Sequence, residues 1–205
     1  MTADRTTRRS LLHGGCLTAL WIATAEARPA QDPRAVVAYV AAEGLAAADP
    51  RRPLQERVSR LRLLFSHYFD IGHIAAFALG RYRLLATPQE LQQYNALYDT
   101  FTVLVYGDQL AKYAGAQVQI TGDYPYGVET VVASEITRPG GGGAKIDWSL
   151  VVRHGRWKVS DVVVGDVSMK ASQRQYFSQW IESNGGRFDA LLAVMRQQIA
   201  AARSG

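Results

Sequence analysis

The spacing of apolar residues changes twice along this chain, and that change most strongly limits the folds it can adopt. From residue 33 to about 113, apolar side chains recur every three or four positions, as in amphipathic helices. Between 116 and 163 they alternate with polar side chains, as in half-buried strands. Helical spacing returns from 171 to 202. Helices, then strands, then helices predict an α+β domain.

Capping residues locate two helix starts. Asp32 followed by Pro33 predicts an N-cap and a first helical position. Thr87, Pro88 and Glu90 predict a capping box. In this motif the Thr87 side chain accepts a hydrogen bond from the Glu90 backbone N–H, and the Glu90 side chain accepts one from the Thr87 backbone N–H. Spacing and punctuation together predict a first helix from 33 that ends between 44 and 49, and further helices over about 54–69, 70–80, 88–113, 171–183 and 187–202.

The alternating region predicts an antiparallel four-stranded sheet. Its four segments are joined by short turns, which favours a meander. The glycine run 140–143 followed by Lys145 resembles a phosphate loop only superficially, because it lacks the Gly-Lys-Ser/Thr ending and lies between two strands. We interpret it as a hairpin turn. The predicted strands are 116–120, 126–136, one carrying Ile146 to Val152, and one carrying Trp157 to Val163.

The first 27 residues have the layout of a cleaved signal peptide. Arg8-Arg9 precedes an apolar stretch from Leu11 to Ala25, and Ala-x-Ala cleavage sites follow. The arginine pair resembles a twin-arginine export motif, and the alternatives are an ordinary Sec signal or an N-terminal anchor. Residues 28–205 would then form a single domain. The one cysteine, Cys16, lies in the signal, so the mature chain would have neither a disulfide nor a thiol nucleophile.

Motifs for catalysis are missing. The sequence has no Gly-x-Ser-x-Gly elbow, no dinucleotide fingerprint and no helical pair of metal-ligating histidines. Asp161 shares a predicted strand face with apolar residues and could act as a general base, with Tyr98 as a second candidate. The alternative for Asp161 is a carboxylate held by backbone N–H groups or by an arginine such as Arg153 or Arg174.

A series of short segments lies in a characteristic order over about 33–200: Phe69-Asp70-Ile71, Leu79-Gly80-Arg81-Tyr82, Ala86-Thr87-Pro88, Tyr106-Gly107, Asp147-Trp148, Trp157-Lys158-Val159-Ser160-Asp161-Val162, Val167-Ser168-Met169, Gln175-Tyr176-Phe177 and Phe188-Asp189-Ala190-Leu191-Leu192. In order and spacing they resemble the MlaC family, the periplasmic phospholipid-binding auxiliary proteins of ABC transporters.

The resemblance implies a fold and a function. The fold would be a nuclear-transport-factor-like cone, in which N- and C-terminal helices pack on the sheet around an apolar cavity. The function would be to carry phospholipid, or a hopanoid-like lipid, through the periplasm in support of outer-membrane lipid asymmetry. The implied partners are an MCE-domain inner-membrane ABC transporter complex and an outer-membrane lipoprotein complex. That function would require no catalytic residue, cofactor, metal or nucleic acid.

Periodicity alone does not distinguish a hollow core from a filled one. A filled core would suit an interaction module, and a hollow one would suit either a lipid carrier or an isomerase or dehydratase acting on a small apolar substrate. The resemblance favours the lipid carrier. Combined with the shared apolar faces, it predicts a cavity lined by Leu79, Tyr82, Phe101, Val105, Trp148, Leu150 and Val163.

The net charge of +5 has a local origin. Residues 51–83 hold seven arginines against Glu56 and Asp70, whereas the rest of the chain is close to balanced. Arg57, Arg60 and Arg62 on the second helix are therefore predicted to dock onto anionic lipid or an acidic partner. The alternative is a solvated helix face.

Overall fold

A computed structural model describes residues 32–204, so the predicted signal peptide lies outside the described residues. The helices are α1 (Pro33–Ala47), α2 (Leu54–Tyr68), α3 (Ile71–Leu79), α4 (Pro88–Ala111), α5 (Met169–Ser183) and α6 (Phe188–Ser204), with a 3₁₀ turn at Gly80–Leu84. The strands are β1 (Gln117–Tyr126), β2 (Glu129–Thr137), β3 (Gly143–Arg153), β4 (Arg156–Val164) and β5 (Val167–Ser168).

Both predicted helix starts are confirmed. The Asp32 carboxylate accepts a hydrogen bond from the Arg34 backbone N–H at 2.9 Å. At the start of α4, the Glu90 N–H donates to the Thr87 hydroxyl at 3.2 Å. The Thr87 N–H donates in turn to the Glu90 carboxylate at 2.8 Å. This capping box fixes the start of a helix 24 residues long, which runs between the two apolar clusters of the protein.

The α+β fold is confirmed, with one strand more than predicted. The strands lie in the order β1-β2-β3-β4-β5, and every neighbouring pair is antiparallel. The additional strand, β5, has only two residues and turns the chain from the sheet into α5. Four long strands therefore form the meander that the alternation predicts.

A β-bulge in β4 changes which side chains face inward. Ser149 pairs with Asp161 and Leu150 pairs with Val159, so Ser160 is an extra residue on β4. An extra residue reverses the alternation beyond it, because side chains point to opposite faces with a period of two. The buried Ser160 hydroxyl donates to Glu129 at 2.6 Å. Val162 and Val164 therefore face inward and Val163 outward, opposite to what simple alternation predicts, while the buried Asp161 beside the bulge still reaches the cavity.

The junction between α2 and α3 is fastened to the sheet. Phe69 forms a parallel bridge with Val159, and the Asp70 N–H donates to the Val159 carbonyl at 2.9 Å. Asp70 stands at the N-cap position of α3, but its side chain makes no capping bond. Its carboxylate instead accepts from Arg153 Nε at 2.8 Å. The ion pair joins α3 to the end of β3.

Two apolar clusters lie on opposite sides of α4. The sheet-side cluster packs α1, α2 and one face of α4 against the sheet, with buried members such as Val40, Phe65, Val103, Trp148 and Leu150. The helix-side cluster packs α3, α5 and α6 against the other face of α4, with buried members such as Leu79, Tyr94, Phe101, Phe177 and Met195. Within residues 32–204 no helix is long and apolar enough to span a membrane.

Candidate functional site

A cavity of about 190 Å³ lies inside the sheet-side cluster. It runs between the inner face of the sheet and the helices that cover it, and most of the side chains around it are apolar. Its lining residues are Val40, Ala41, Gly44, Leu45, Leu64, Phe65, Phe69, Ile71, Ile74, Tyr98, Thr102, Tyr106, Gln109, Leu110, Tyr113, Val118, Ile136, Ile146, Trp148, Asp161, Val162, Val164, Met169 and Lys170.

The strand register brings together the lining residues that the sheet contributes. Ser134 on β2 lies opposite Ile146 on β3, which lies opposite Val164 on β4. The Trp148 indole N–H donates to the Ser134 hydroxyl at 3.0 Å, and that hydroxyl donates to the Ile146 carbonyl at 3.1 Å. The indole is therefore held in one orientation against the cavity, with its only polar group satisfied.

One stripe of α4 forms the facing side. Tyr98, Thr102 and Tyr106 are spaced four residues apart, so they lie on the same helix face, and all three line the cavity. The close approach of α2 supports this helix, since a Cβ at Gly107 would lie 3.0 Å from Leu61 Cδ1. The wall opposite the sheet therefore carries hydroxyl groups among its apolar atoms.

The cavity opens near the C-terminal end of α4. Gln109 is the one exposed residue among those that line it, and the half-buried Tyr113 follows one turn later. A cationic side chain lies beside each of these two residues. Lys112 Nζ donates to the Gln109 side-chain oxygen at 3.0 Å, and the Arg138 guanidinium lies 5.6 Å from the centre of the Tyr113 ring. The mouth is thus polar and basic, whereas the interior is apolar.

The Asp161 carboxylate is fully engaged by hydrogen bonds. It accepts from the Ser168 hydroxyl at 2.5 Å, from the Lys170 N–H at 3.1 Å and from the Val162 N–H at 2.9 Å. Of the two interpretations of Asp161, the one with a carboxylate held by backbone N–H groups is observed, and no arginine takes part. The partners fix Asp161 at the junction between β4 and α5.

The tyrosines of α4 are suited to structure and not to acid–base chemistry at neutral pH. Burial raises the pKa of Tyr98, and its hydroxyl donates to the Gln173 side-chain oxygen at 2.5 Å. Burial, with a smaller contribution from the charge of Asp161, raises the pKa of Tyr106 to about 12. The two enzyme candidates, Asp161 and Tyr98, thus each have a structural partner. Among residues 32–204 no cluster of three or more His, Cys, Asp or Glu side chains is arranged to hold a metal ion.

The seven residues predicted to line one cavity lie in different parts of the structure. Trp148 lines the cavity described above. Leu150 is fully buried in the same cluster but does not reach the cavity. Val163 lies outside it, while its neighbours Val162 and Val164 line it, because the bulge at Ser160 reverses the alternation of β4.

The other four lie elsewhere. Leu79, Tyr82 and Phe101 are buried in the helix-side cluster, and Val105 packs against it. Phe101 and Val105 line a separate pocket beside Ile199 of α6. Phe101 and Val105 thus lie away from the cavity between α4 and the sheet, because this helix is apolar on two sides. The four-residue spacing of Tyr98, Thr102 and Tyr106 is the signal for the other face.

The three arginines of α2 do not form one free cationic surface. Arg57 lies 3.4 Å from Asp108, and Arg60 lies 3.5 Å from Glu43 and 3.6 Å from Glu56. Arg62 donates to the Thr100 hydroxyl at 3.1 Å and has no acidic partner within 4.0 Å among the described residues.

Comparisons with known proteins agree with this geometry. A family model described as "MlaC protein" matches residues 42–197. Among solved structures, the chain is similar to a phospholipid-binding protein from Ralstonia solanacearum, determined in complex with a phospholipid. That match has a TM-score of 0.67 and 19% sequence identity, and covers 84% of this chain and 99% of the other. At this identity the likeness shows a shared fold.

Proposed function

The chain belongs to the MlaC family, and from that premise we propose that it is a lipid-binding shuttle whose cavity holds the acyl chains of a phospholipid or a related lipid. The observation that carries the proposal is the apolar cavity between α4 and the sheet. The phospholipid bound by the structurally similar Ralstonia solanacearum protein supports it. Binding without catalysis is consistent with Asp161 and Tyr98, whose polar groups are engaged within the protein.

The hydrophobic effect makes such a carrier retain its cargo in water. Two acyl chains contain about 30 methylenes, and burying them stabilises the complex by on the order of 20 kcal/mol at about 0.8 kcal/mol each. A bilayer buries the same methylenes equally well, so the net preference between protein and membrane is small. The direction of transfer must therefore come from docking to partners or from ATP hydrolysis by a partner.

The cavity must widen to accept a complete lipid. Its volume of about 190 Å³ is smaller than the roughly 300–1,000 Å³ of ordinary ligand pockets. Lipid entry would therefore separate the helices from the sheet and replace contacts between apolar side chains by contacts with acyl chains. This exchange of one apolar contact for another costs little, which suits a protein that loads and unloads repeatedly.

The finer parts of the proposal concern where the shuttle works. We place it in the periplasm, exported by the signal predicted in residues 1–27, with residues 28–205 forming one lipid-binding domain. Its partners would be the MCE-domain inner-membrane ABC transporter complex and the outer-membrane lipoprotein complex. Among the arginines of α2, Arg62 is the best candidate for docking, because it is exposed and has no acidic partner within the described residues.

Mass spectrometry of a solvent extract tests lipid binding directly. The protein is purified without detergent, and bound lipid is quantified against protein. About one phospholipid per chain is expected. A hopanoid-like ligand at the same ratio would change the cargo and retain the shuttle. A protein that contains no lipid, and takes up none from vesicles, would contradict the proposal.

A further inference from the structure

One side of the cavity carries polar groups that the protein itself does not satisfy. The Thr102 hydroxyl is buried, with only 5% of the residue exposed, yet its oxygen has no hydrogen-bond partner. Its neighbour one turn earlier, the Tyr98 phenol, donates its proton to Gln173. The Thr102 side chain lies close enough to lower the pKa of that phenol slightly against the larger effect of burial, but the two hydroxyls form no hydrogen bond of normal length and angle. Leaving a buried hydroxyl unpaired costs about 1–3 kcal/mol. A partner for Thr102 is therefore expected from whatever fills the cavity.

Two further donors line the same cavity. Tyr106 follows Thr102 by one helical turn on the same face of α4, and no hydrogen bond of its phenol to a described residue is observed. Lys170, at the start of α5, also lines the cavity. Asp161 lines the cavity with both of them, and it accepts a hydrogen bond from the Lys170 backbone N–H.

The Lys170 ammonium has no anionic partner within the described residues. No carboxylate lies within 4.0 Å of it, and it rests 5.3 Å from the centre of the Phe77 ring. Asp161 does not neutralise it through an ion pair, because that carboxylate is occupied by Ser168 and two backbone N–H groups. A half-buried ammonium beside an apolar cavity is a strong donor for an anionic ligand.

From these observations we propose that Thr102, Tyr106 and Lys170 form a binding site for the polar backbone of the lipid, with the two hydroxyls donating to its ester carbonyl oxygens and the Lys170 ammonium donating to its phosphate. This inference rests on the proposed function and adds a headgroup preference to it. The order of the groups fits their burial, because Thr102 is buried while Lys170 is half-buried. The apolar chains would lie against the remaining side chains of the cavity.

The negative charge of Asp161 does not prevent this arrangement. Its three hydrogen bonds stabilise the carboxylate, and it stands at the N-terminal end of α5, where the helix dipole favours negative charge. The Lys170 ammonium is therefore left free for the phosphate.

Three lipids with the same oleoyl or oleyl chains test the site: dioleoyl phosphatidylglycerol, dioleoylglycerol without the phosphate, and the dialkyl ether form of the phospholipid without ester carbonyls. Delipidated protein is titrated with each. We expect the wild type to bind the ester phospholipid about tenfold more tightly than either analogue, as for a charge-assisted hydrogen bond. Lys170→Met should abolish the preference for phosphate only. Thr102→Val with Tyr106→Phe should abolish the preference for ester only.

Two control variants keep the outcome interpretable. Lys145→Met removes an exposed lysine on β3 that does not line the cavity, and should leave both preferences unchanged. Thr102→Ser retains the hydroxyl and should retain the ester preference. Equal wild-type affinity for all three lipids would overturn the site while leaving the shuttle intact. Absence of binding to any of them would overturn the proposed function itself.

Discussion

The sheet-side and helix-side clusters use similar side chains, but the apolar cavity lies in the sheet-side cluster. The pocket beside Ile199 lies at the solvent-exposed edge of the helix-side cluster, whose interior is filled. In the helix-side cluster, aromatic rings interlock: Phe177 lies 6.1 Å from Tyr94 and 5.7 Å from Phe101 between ring centres. The tyrosine hydroxyls there find protein partners, as when Tyr94 donates to the Ala75 carbonyl at 2.9 Å. In the sheet-side cluster, Thr102 lacks such a partner.

The two clusters differ in packing because helices and a sheet cannot approach α4 equally closely. Helices α3, α5 and α6 pack their side chains directly into its grooves. The sheet is a broad, regular surface held by its own ladders, so it cannot close around the opposite face of α4 to the same extent. Polar groups facing the gap then remain unpaired. Unpaired donors and empty volume on the same side of one helix are together the mark of a binding site.

Truncating an aromatic residue in the filled cluster should produce the largest loss of stability. Phe177 is fully buried, and Phe177→Ala is expected to lower the free energy of unfolding by about 3–5 kcal/mol. Leu110→Ala, on the cavity side, should cost less than about 2 kcal/mol, because part of that side chain already faces empty space. Chemical denaturation of both variants measures the contrast. Equal losses would show that the two clusters are packed alike.

Adding an aromatic ring should reduce lipid binding on the cavity side of α4 and reduce stability in the helix-side cluster. Ala41→Phe places a ring in the cavity, so it should exclude lipid from the solvent extract at little cost in stability. Ala78 is fully buried in the helix-side cluster, and Ala78→Phe should destabilise by about 1–3 kcal/mol through overpacking while retaining the cavity. Lipid content and thermal unfolding are measured together. Full lipid occupancy in Ala41→Phe would place the lipid elsewhere.

Sequence periodicity predicts the elements of this fold well, and the cavity poorly, for a physical reason. Alternation and capping are local, so they identify the four long strands and the start of α4 at Thr87. Whether a face is filled depends on the distance between layers, which no local pattern encodes. Val163 shows the second limit: one extra residue at Ser160 reverses the faces of Val162, Val163 and Val164. The spacing of Tyr98, Thr102 and Tyr106 could have identified the cavity side of α4, but α4 is apolar on both sides.

Removing a hydroxyl should again give different losses of stability, by a smaller margin. Tyr98 reaches the cavity but is buried in the helix-side cluster, whereas Thr102 lines the cavity. Tyr98→Phe leaves the buried Gln173 side-chain oxygen without its donor, so it should destabilise by about 1–3 kcal/mol. Thr102→Val removes a hydroxyl that forms no hydrogen bond of normal geometry within the described residues, and should be neutral or slightly stabilising in the absence of lipid. Both are read from denaturant midpoints. A clear loss of stability in delipidated Thr102→Val would mean that the hydroxyl has a partner within the fold.

The smallest effect is expected at the surface of α2, where the question is docking and not packing. Reversing an exposed charge changes stability by no more than about 1 kcal/mol. Arg62→Glu should nevertheless slow lipid delivery to acceptor vesicles that carry the inner-membrane partner complex, and the difference from wild type should shrink at 1 M salt, where the Debye length is about 3 Å. Arg60→Glu is the matched control, since Arg60 already lies near Glu43 and Glu56. Unchanged delivery by Arg62→Glu would show that α2 is not part of the docking surface. Equal slowing by both variants would show that the overall charge of α2, and not the exposed Arg62, steers the encounter.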